Sequence, residues 1–437
     1  MAGSYEMNMT SGPLFGKIAA FAFPLMCSSV LQLLFNAADI IVVGRYAGNT
    51  ALAAVGSTSA LINLMVNLFV GLSVGANVLI ARSYGAGDMK AVHKGVHTAM
   101  LMALVGGVFL IFVGVAASRP MLSLMGTPDD VIDQATLYLR IYFVGAPSLL
   151  IYNFGAAILR SVGDTRRPLY FLTLAGVALA TIISQTVSAY LIVVCLQHNA
   201  GAFRLVLHEL RFDPEQLREI LRIGVPAGVQ GVVFSLSNVV IQSSVNSFGS
   251  AVMAGNTTAS NIENFVYSCM SSVSQTSMSF VSQNMGAGQY RRVDRVVFQC
   301  MLFTGAVGAI MGGSAYFFGT QLLHIYTPDP QVVTYGLYRM SVVCTTYFFC
   351  GWMDCLACSV RGLGASVLPM VVSIVGVCLL RIVWVMTIFQ WERTQLCLYI
   401  SYPVSWALTM AAHLICFLVL RKKVRSQNPD QPAAAAA

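Results

Sequence analysis

Long apolar runs separated by short polar turns dominate the chain. The runs fall at 15–43, 52–81, 95–117, 132–159 and 169–196, then at 221–248, 254–283, 296–318, 332–358, 368–389 and 396–420. Each is about 20 residues or more, enough for a helix to cross the ~30 Å hydrocarbon core of a bilayer. Five runs precede the longest polar connector, Gln197 to Arg218, and six follow it. Gly44 and Gly48, Gly85 and Gly87, Pro120 with Pro128, and Gly163 with Pro168 mark the turns. In the connector, Phe203 to Leu210 sets apolar residues among Arg204, His208 and Arg211, which predicts a short helix lying at the membrane interface.

The turns recur at a spacing of about 201 residues. Gly85-Ala86-Gly87 returns as Gly286-Ala287-Gly288, Arg160-Ser161-Val162-Gly163 as Arg361-Gly362-Leu363-Gly364, and Thr127-Pro128-Asp129 as Thr327-Pro328-Asp329. Pro24 lies 202 residues before Pro226. Such regularity implies two copies of one membrane bundle. The copies are unequal. The apolar stretch Leu368 to Leu420 has 53 residues, whereas its first-half counterpart, Leu169 to Leu196, has 28, a difference of 25, or one transmembrane helix.

Composition agrees with a membrane protein: 57% of residues are hydrophobic and 10% charged, with mean hydropathy +0.73. That leaves too little polar surface for a soluble globule of 437 residues. The eleven cysteines fall mostly inside spans, as small apolar fillers. The first apolar run is longer than a signal-peptide core, so no signal peptide is expected, and the tail after Arg425 is expected to be disordered. The expected organisation is an N-terminal lobe at 1–200, one helix short, a cytoplasmic connector at 201–220, a six-helix lobe at 221–425 and a tail at 426–437.

Charge sets the orientation. In a bundle of two six-helix halves, nineteen of the 25 Lys and Arg share one side: Lys17, the turn residues Arg82, Lys90, Lys94, Arg160, Arg166, Arg167, Arg291, Arg292, Arg295 and Arg361, the connector's Arg204, Arg211, Arg218 and Arg222, and the tail's Arg421, Lys422, Lys423 and Arg425. Arg45, Arg119, Arg140, Arg339, Arg381 and Arg393 fall elsewhere. The shared side is cytoplasmic by the positive-inside rule. A missing span would invert the second half and export Arg291, so charge and span count conflict. One long tilted helix over 169–196 would cross once and leave the connector and Arg291 outside, whereas residues 169–177 crossing extended would let Ala178 to Leu196 return as a helix. The second lobe is expected to keep its cytoplasmic-side charges, with the distortion confined to 169–200 and the first lobe left gapped.

Several runs carry polar stripes. Ser28, Gln32, Asn36 and Asp39 share one helix face, as do Ser235, Asn238, Gln242 and Asn246. Asn264, Ser268, Ser271, Gln275, Ser279 and Ser282 form a third stripe, and Ser59, Asn63 and Asn67 a fourth. Isolated hydroxyls commonly bond neighbouring helices. Whole stripes with Gln and Asn suit the wall of a wet cavity better, so Gln32, Asn63, Asn67, Asn153, Asn238, Gln242 and Gln275 are taken as substrate-cavity residues. Three acids, Asp39, Glu263 and Asp354, sit at membrane depth, where a carboxylate is costly and is a functional candidate by default. A carboxyl kept neutral by hydrogen bonds is the plainer alternative for each.

The run Asn36-Ala37-Ala38-Asp39-Ile40-Ile41-Val42-Val43-Gly44-Arg45, the turn Ala81-Arg82-Ser83-Tyr84-Gly85-Ala86-Gly87-Asp88, and Leu159-Arg160-Ser161-Val162-Gly163-Asp164 with Arg361-Gly362-Leu363-Gly364 resemble the multidrug and toxic compound extrusion family. The resemblance spans about residues 10 to 425 and implies an all-α, polytopic fold of two pseudo-symmetric lobes around a central cleft. It implies export of cationic or amphipathic compounds in exchange for Na⁺ or H⁺, with no other cofactor. Ala178-Leu179-Ala180-Thr181-Ile182-Ile183-Ser184-Gln185 then resembles the sixth helix, joined near Gly176-Val177 to the opening of the fifth. Asp39 matches the first-helix coupling acid and Asp354 the acid of the tenth helix. Asp39, Asn36, Thr181, Asp354 and Glu263 are the resulting cation- or proton-coupling residues. With most of the fifth helix absent, Asp39, Asn36 and Thr181 make a thin site for Na⁺, which favours H⁺.

Other chemistry is set aside. Cys355-x-x-Cys358 lies within a span, and His93 with His97 has Lys94 where a zinc protease places Glu, so no metal site is expected. There is no Gly-x-x-x-x-Gly-Lys-Ser/Thr loop and no convergent nucleophile and base, so an enzyme is not expected. The expected partners are membrane lipids and small cationic or amphipathic substrates, with no nucleic acid and a monomeric state, in a bacterial inner membrane. A lipid-linked precursor flippase of related fold is an alternative, but it needs a cationic cavity, whereas the intramembrane charges read as chiefly acidic. An intramembrane enzyme and an inactive deletion variant of an antiporter are the others.

Overall fold

The computed structural model of the chain describes residues 6–46, 48–125, 127, 129–175, 181–199 and 201–427, and these residues contain helices and no strands. The tail beyond 427 lies outside them, as do 176–180. The first half comprises α1 (Leu14–Tyr46), α2 (Gly48–Gly85), α3 (Met89–Leu124), α4 (Asp129–Val144), α5 (Ala146–Ser161), α6 (Arg166–Ala175) and α7 (Thr181–Gln197). The second comprises α8 (Pro214–Asn246), α9 (Ser250–Gly286), α10 (Tyr290–Phe317), α11 (Gly319–His324), α12 (Pro330–Val343), α13 (Tyr347–Gly362), α14 (Val367–Ser373), α15 (Leu380–Met386), α16 (Ile388–Trp391) and α17 (Gln395–Gln427).

Among the described residues, eight helical stretches are long and apolar enough to cross a bilayer, and a ninth is formed if Val131–Val144 and Ala146–Ser161, bent by 44°, count as one span. α9 is long enough but carries the Ser, Asn and Gln stripe, which lowers its hydropathy. Large side chains such as Phe109, Phe112, Phe298, Ile310 and Phe317 are exposed, as lipid-facing positions should be.

The internal repeat is geometric as well as sequential. α2 ends at Gly85 and α9 at Gly286, and α5 ends at Ser161 and α13 at Gly362. The turn glycines match in backbone angle: Gly87 has φ +73° and Gly288 +68°, while Gly163 has +97° and Gly364 +92°. Only glycine adopts these left-handed angles without strain, which is why the same residue recurs there. The α4/α5 bend at Gly145 corresponds in the repeat to a 3₁₀ turn at Cys344–Thr346 between α12 and α13 of the second half.

The chain divides into two compact units that do not follow one cut: residues 1–8 with 27–232, and residues 9–26 with 233–437. Opening turns of α1 therefore belong to the second unit and opening turns of α8 to the first. In the first unit α8 crosses α2 at glycines. A Cβ on Gly71 would stand 2.2 Å from the Gly228 backbone nitrogen, and one on Gly75 2.3 Å from the Ile220 carbonyl oxygen. The paired small residues, Gly71 with Gly75 and Gly224 with Gly228, let the two backbones touch. In the second unit Phe21 of α1 meets Phe280 of α9 edge to face, with ring centroids 5.6 Å apart.

Two expectations are corrected. Residues 203–210 form no amphipathic helix: their helical part is a 3₁₀ turn at Leu207–Glu209, and Phe203 and Leu205 are buried in the first unit's core. Apolar residues spaced for an amphipathic helix serve instead as plugs in an extended segment. The Val206 amide donates to His97 Nε2 at 3.1 Å, the Asp213 amide donates to the Thr98 hydroxyl at 3.1 Å, and Lys94 pairs with Asp213 at 2.9 Å. Asp213 then caps α8 by accepting from the Gln216 amide, with Pro214 as its first residue.

The run 169–196 is neither one tilted helix nor an extended crossing. Residues 166–175 are helical, capped by Asp164, which accepts from the Arg166 and Arg167 amides at 3.1 Å each. Arg167 Nη1 lies 3.2 Å from Cys195 Sγ, and the Ser188 hydroxyl lies 3.5 Å from the Phe171 carbonyl oxygen. Those two contacts pair early α6 with late α7, so the helices run antiparallel and the chain returns to the end it left. Ten helical residues rise about 15 Å, half a hydrocarbon core.

Candidate functional site

The second unit buries a polar network that begins on α9. Asn256 and Glu263 are seven residues apart and share a face; both are buried, at 4% exposure each. Arg339 of α12, itself 5% exposed, reaches across to them. Its Nε donates to Glu263 Oε1 at 2.9 Å and its Nη2 to Oε2 at 2.7 Å, a two-pronged pair, while Nη1 donates to Asn256 Oδ1 at 2.8 Å. Asn256 Nδ2 donates to Gln242 Oε1 at 3.1 Å, and Gln242 Nε2 to Asn246 Oδ1 at 2.9 Å. The α8 stripe is thereby bonded to the ion pair.

A second guanidinium follows. Arg381 of α15 is 4% exposed, and its Nε donates to the Ser405 hydroxyl of α17 at 2.8 Å. Its carbon lies 4.2 Å from the Tyr402 ring centroid and 5.6 Å from that of Trp406. Arg339 approaches the same Tyr402 ring at 5.1 Å, so one aromatic ring serves two cations.

Glu263 lies within α9, well inside its ends, and is clamped by Arg339. Asp354 of α13 is half-buried, with the Ser274 hydroxyl and the Arg361 guanidinium acting on its carboxyl and Tyr267 nearby. Its repeat counterpart, Asn153, donates to the Leu149 carbonyl oxygen of its own helix at 2.9 Å. Asn238 is exposed and Gln275 half-buried in the second unit. In the first, Gln32, Asn36 and Asn63 are exposed and Asn67 is half-buried. The side chains of Asp39 and Thr181 lie outside the described residues.

The intramembrane charges are not chiefly acidic in the second unit: Arg339, Arg361 and Arg381 are buried there beside Glu263 and the half-buried Asp354. Orientation counting treats Arg339 and Arg381 as exceptions, yet an arginine inside an apolar run was the signal that marked them.

Another cluster forms where the connector meets α3. His93 Nε2 lies 2.8 Å from Glu209 Oε2, and ligand atoms of His93, His97 and Glu209 all lie within 4.8 Å of one another. Both nitrogens of His97 are already engaged, Nδ1 with the His93 carbonyl oxygen at 2.8 Å and Nε2 with the Val206 amide. The cluster acts first as a fastening. The His93 hydrogen bond holds the Glu209 carboxyl below its usual range, and the Lys94 hydrogen bond does so for Asp213.

The profile of the family described as MatE matches residues 24–191 and again 226–387, one copy on each half of the repeat. The chain belongs to the MatE family. Among curated MATE relatives, the probable multidrug resistance protein YoeA of Bacillus subtilis (strain 168) is 25% identical over 90% of this chain and 91% of its own length. The probable multidrug resistance protein NorM of Thermotoga maritima is 25% identical over 83% of this chain and 82% of its own. The FAD transporter of Shewanella oneidensis is 24% identical over 78% and 80%. A crystal structure of MATE in complex with MaL6 superposes with TM-score 0.88 at 19% identity, covering 96% of this chain and 98% of that one. The chain is thus a multi-pass membrane protein of the MATE multidrug efflux family, and the homologues are transporters rather than enzymes.

Proposed function

We propose that this MATE chain is a secondary active exporter of a bacterial inner membrane that exchanges cationic or amphipathic compounds for H⁺ or Na⁺. The observation that carries the reading is the contrast between the two acids of the second unit. Glu263 is fixed in a buried bidentate pair, while Asp354 is half-buried between the Arg361 guanidinium and the Ser274 hydroxyl and forms no such two-pronged pair among the described residues. A carboxyl of that kind needs no multi-oxygen cage to exchange a proton, so H⁺ is the favoured coupling ion. Asp39 in α1 remains the corresponding proposal for the first unit. The name of the Shewanella relative refers to an anionic dinucleotide, so family membership alone does not confine substrates to cations.

Proteoliposomes with imposed pH or Na⁺ gradients test this. Uptake of a fluorescent lipophilic cation that follows the pH gradient and is indifferent to Na⁺ is expected. Flux driven by Na⁺ alone would transfer the coupling to Na⁺, and no gradient-driven flux at all would leave the inactive deletion variant as the better reading.

A further inference from the structure

The interior of the second unit holds more positive charge than its acids balance. Glu263 is consumed by Arg339. Arg381 forms no ion pair among the described residues, and its Nη2 is buried with no hydrogen-bond partner. A guanidinium has five donors in a planar fork suited to carboxylate or phosphate. Here Ser405 takes Nε, the rings of Tyr402 and Trp406 flank the guanidinium, and the Nη2 end is left as a directed donor. Burying such a donor unsatisfied is costly and calls for a reason.

The backbone supplies one. Residues Ile374–Leu379, directly before α15, form a π-helical stretch. Wide turns of this type are less stable than α-helix and occur mostly at functional sites, because the extra residue rotates the side chains that follow. At its centre Gly376 lies so close to Thr409 of α17 that an added Cβ would stand 2.2 Å from the hydroxyl oxygen. The stretch packs tightly on α17, and Arg381 follows it by two residues. An aromatic platform continues from there: Tyr402 and Trp406 have ring centroids 5.7 Å apart, and Trp406 and Tyr347 5.3 Å. Tyr402 is the partly exposed member, so it marks the approach.

We propose that Arg381, with Ser405, Tyr402 and Trp406, forms an anion-recognising subsite that takes the carboxylate or phosphate of an aromatic amphiphile. The proposal rests on the exporter reading and adds, within its amphipathic substrates, compounds that carry an acidic group. If Arg381 is only a structural cation stacked on rings, neutralising it changes stability but not selectivity.

The test is binding without any gradient, so it stands or falls separately from the transport assay. Flavin mononucleotide and riboflavin share one ring and differ by a phosphate, and their fluorescence reports binding to the protein in zwitterionic-lipid nanodiscs. The wild type is expected to bind the mononucleotide at least tenfold more tightly. In Arg381→Gln the ratio falls to about one with riboflavin binding unchanged. Should that variant fail to fold, Arg381→Lys keeps the charge but loses the fork and lowers the ratio at least threefold. Equal binding of the two flavins by the wild type, or a ratio unchanged in the variant that folds, overturns the proposal. A preference that vanishes when anionic lipid replaces zwitterionic lipid identifies a lipid headgroup as the occupant and also overturns it.

Discussion

At the scale of single residues, Glu263 and Asp354 show why an acid in an apolar run is not one kind of thing. Glu263 accepts two charge-assisted bonds from Arg339, and removing its charge leaves that guanidinium buried and unpaired. Glu263→Gln is therefore expected to destabilise the protein by about 3–5 kcal/mol, seen as a lowered melting temperature in detergent. Replacing both partners by hydrophobic residues, Glu263→Leu with Arg339→Met, recovers most of the loss if the pair is structural. Asp354→Asn should leave melting nearly unchanged, because Asn153 occupies the repeat position and an amide is tolerated there. It should instead depress ion-coupled flux, and wild-type flux in that variant would remove Asp354 from the coupling site. Both acids were legible in the sequence as charges where lipid disfavours them. Their separate roles were not, because they depend on an arginine 76 residues away from Glu263 and on a hydroxyl 80 residues away from Asp354.

At the scale of elements, the turns were readable because a left-handed glycine has no substitute, and the eleven apolar runs all contain helix. The connector was misread because periodicity alone cannot separate an amphipathic helix from an extended segment plugging a core. The α6/α7 hairpin was misread because ten residues are too few to register as a span. The glycine crossing makes a sharp prediction. Gly71→Ala would place a Cβ 2.2 Å from the Gly228 nitrogen, a backbone atom that cannot swing aside. α2 and α8 must separate at a cost of about 1–3 kcal/mol, read as a lower melting temperature. Gly16→Ala in α1 has nothing within 4 Å and is the neutral control. The connector fastening responds to pH. The folded state holds the carboxyls of Glu209 and Asp213 below their ordinary values, so their contribution is present above about pH 4 and is lost as pH falls through the lowered range. Hydrogen-exchange protection across 206–217, taken relative to the intrinsic rate at each pH, should be high at neutral pH and fall below about pH 4, while α5 stays protected. Protection of 206–217 that is unchanged down to pH 3 would show that Phe203 and Leu205 alone hold the segment.

At the scale of the whole molecule, the remaining question is orientation, which charge decides more firmly than span counting. Within the first unit the connector is bonded to the start of α3, beside the Gly85 turn, and the α6/α7 hairpin leaves and re-enters at one end through Arg167 and Cys195. The hairpin therefore does not change parity, which removes the conflict that a missing span creates. Within the second unit Arg292 donates to the carbonyl oxygens of Ser11 and Gly12 at 2.8 Å each, and Arg421 and Arg425 pair with Asp294, so the basic residues of that unit also collect at one end. Exporting either end would carry several arginines across the bilayer against the positive-inside bias. Both ends are expected to be cytoplasmic. In a background lacking the eleven native cysteines, single cysteines at positions 204 and 291 should resist a membrane-impermeant thiol reagent in intact cells and react in inverted vesicles. Labelling of position 291 from outside intact cells, with 204 protected, would mean that the shortened hairpin crosses the membrane after all and that the second unit is inverted.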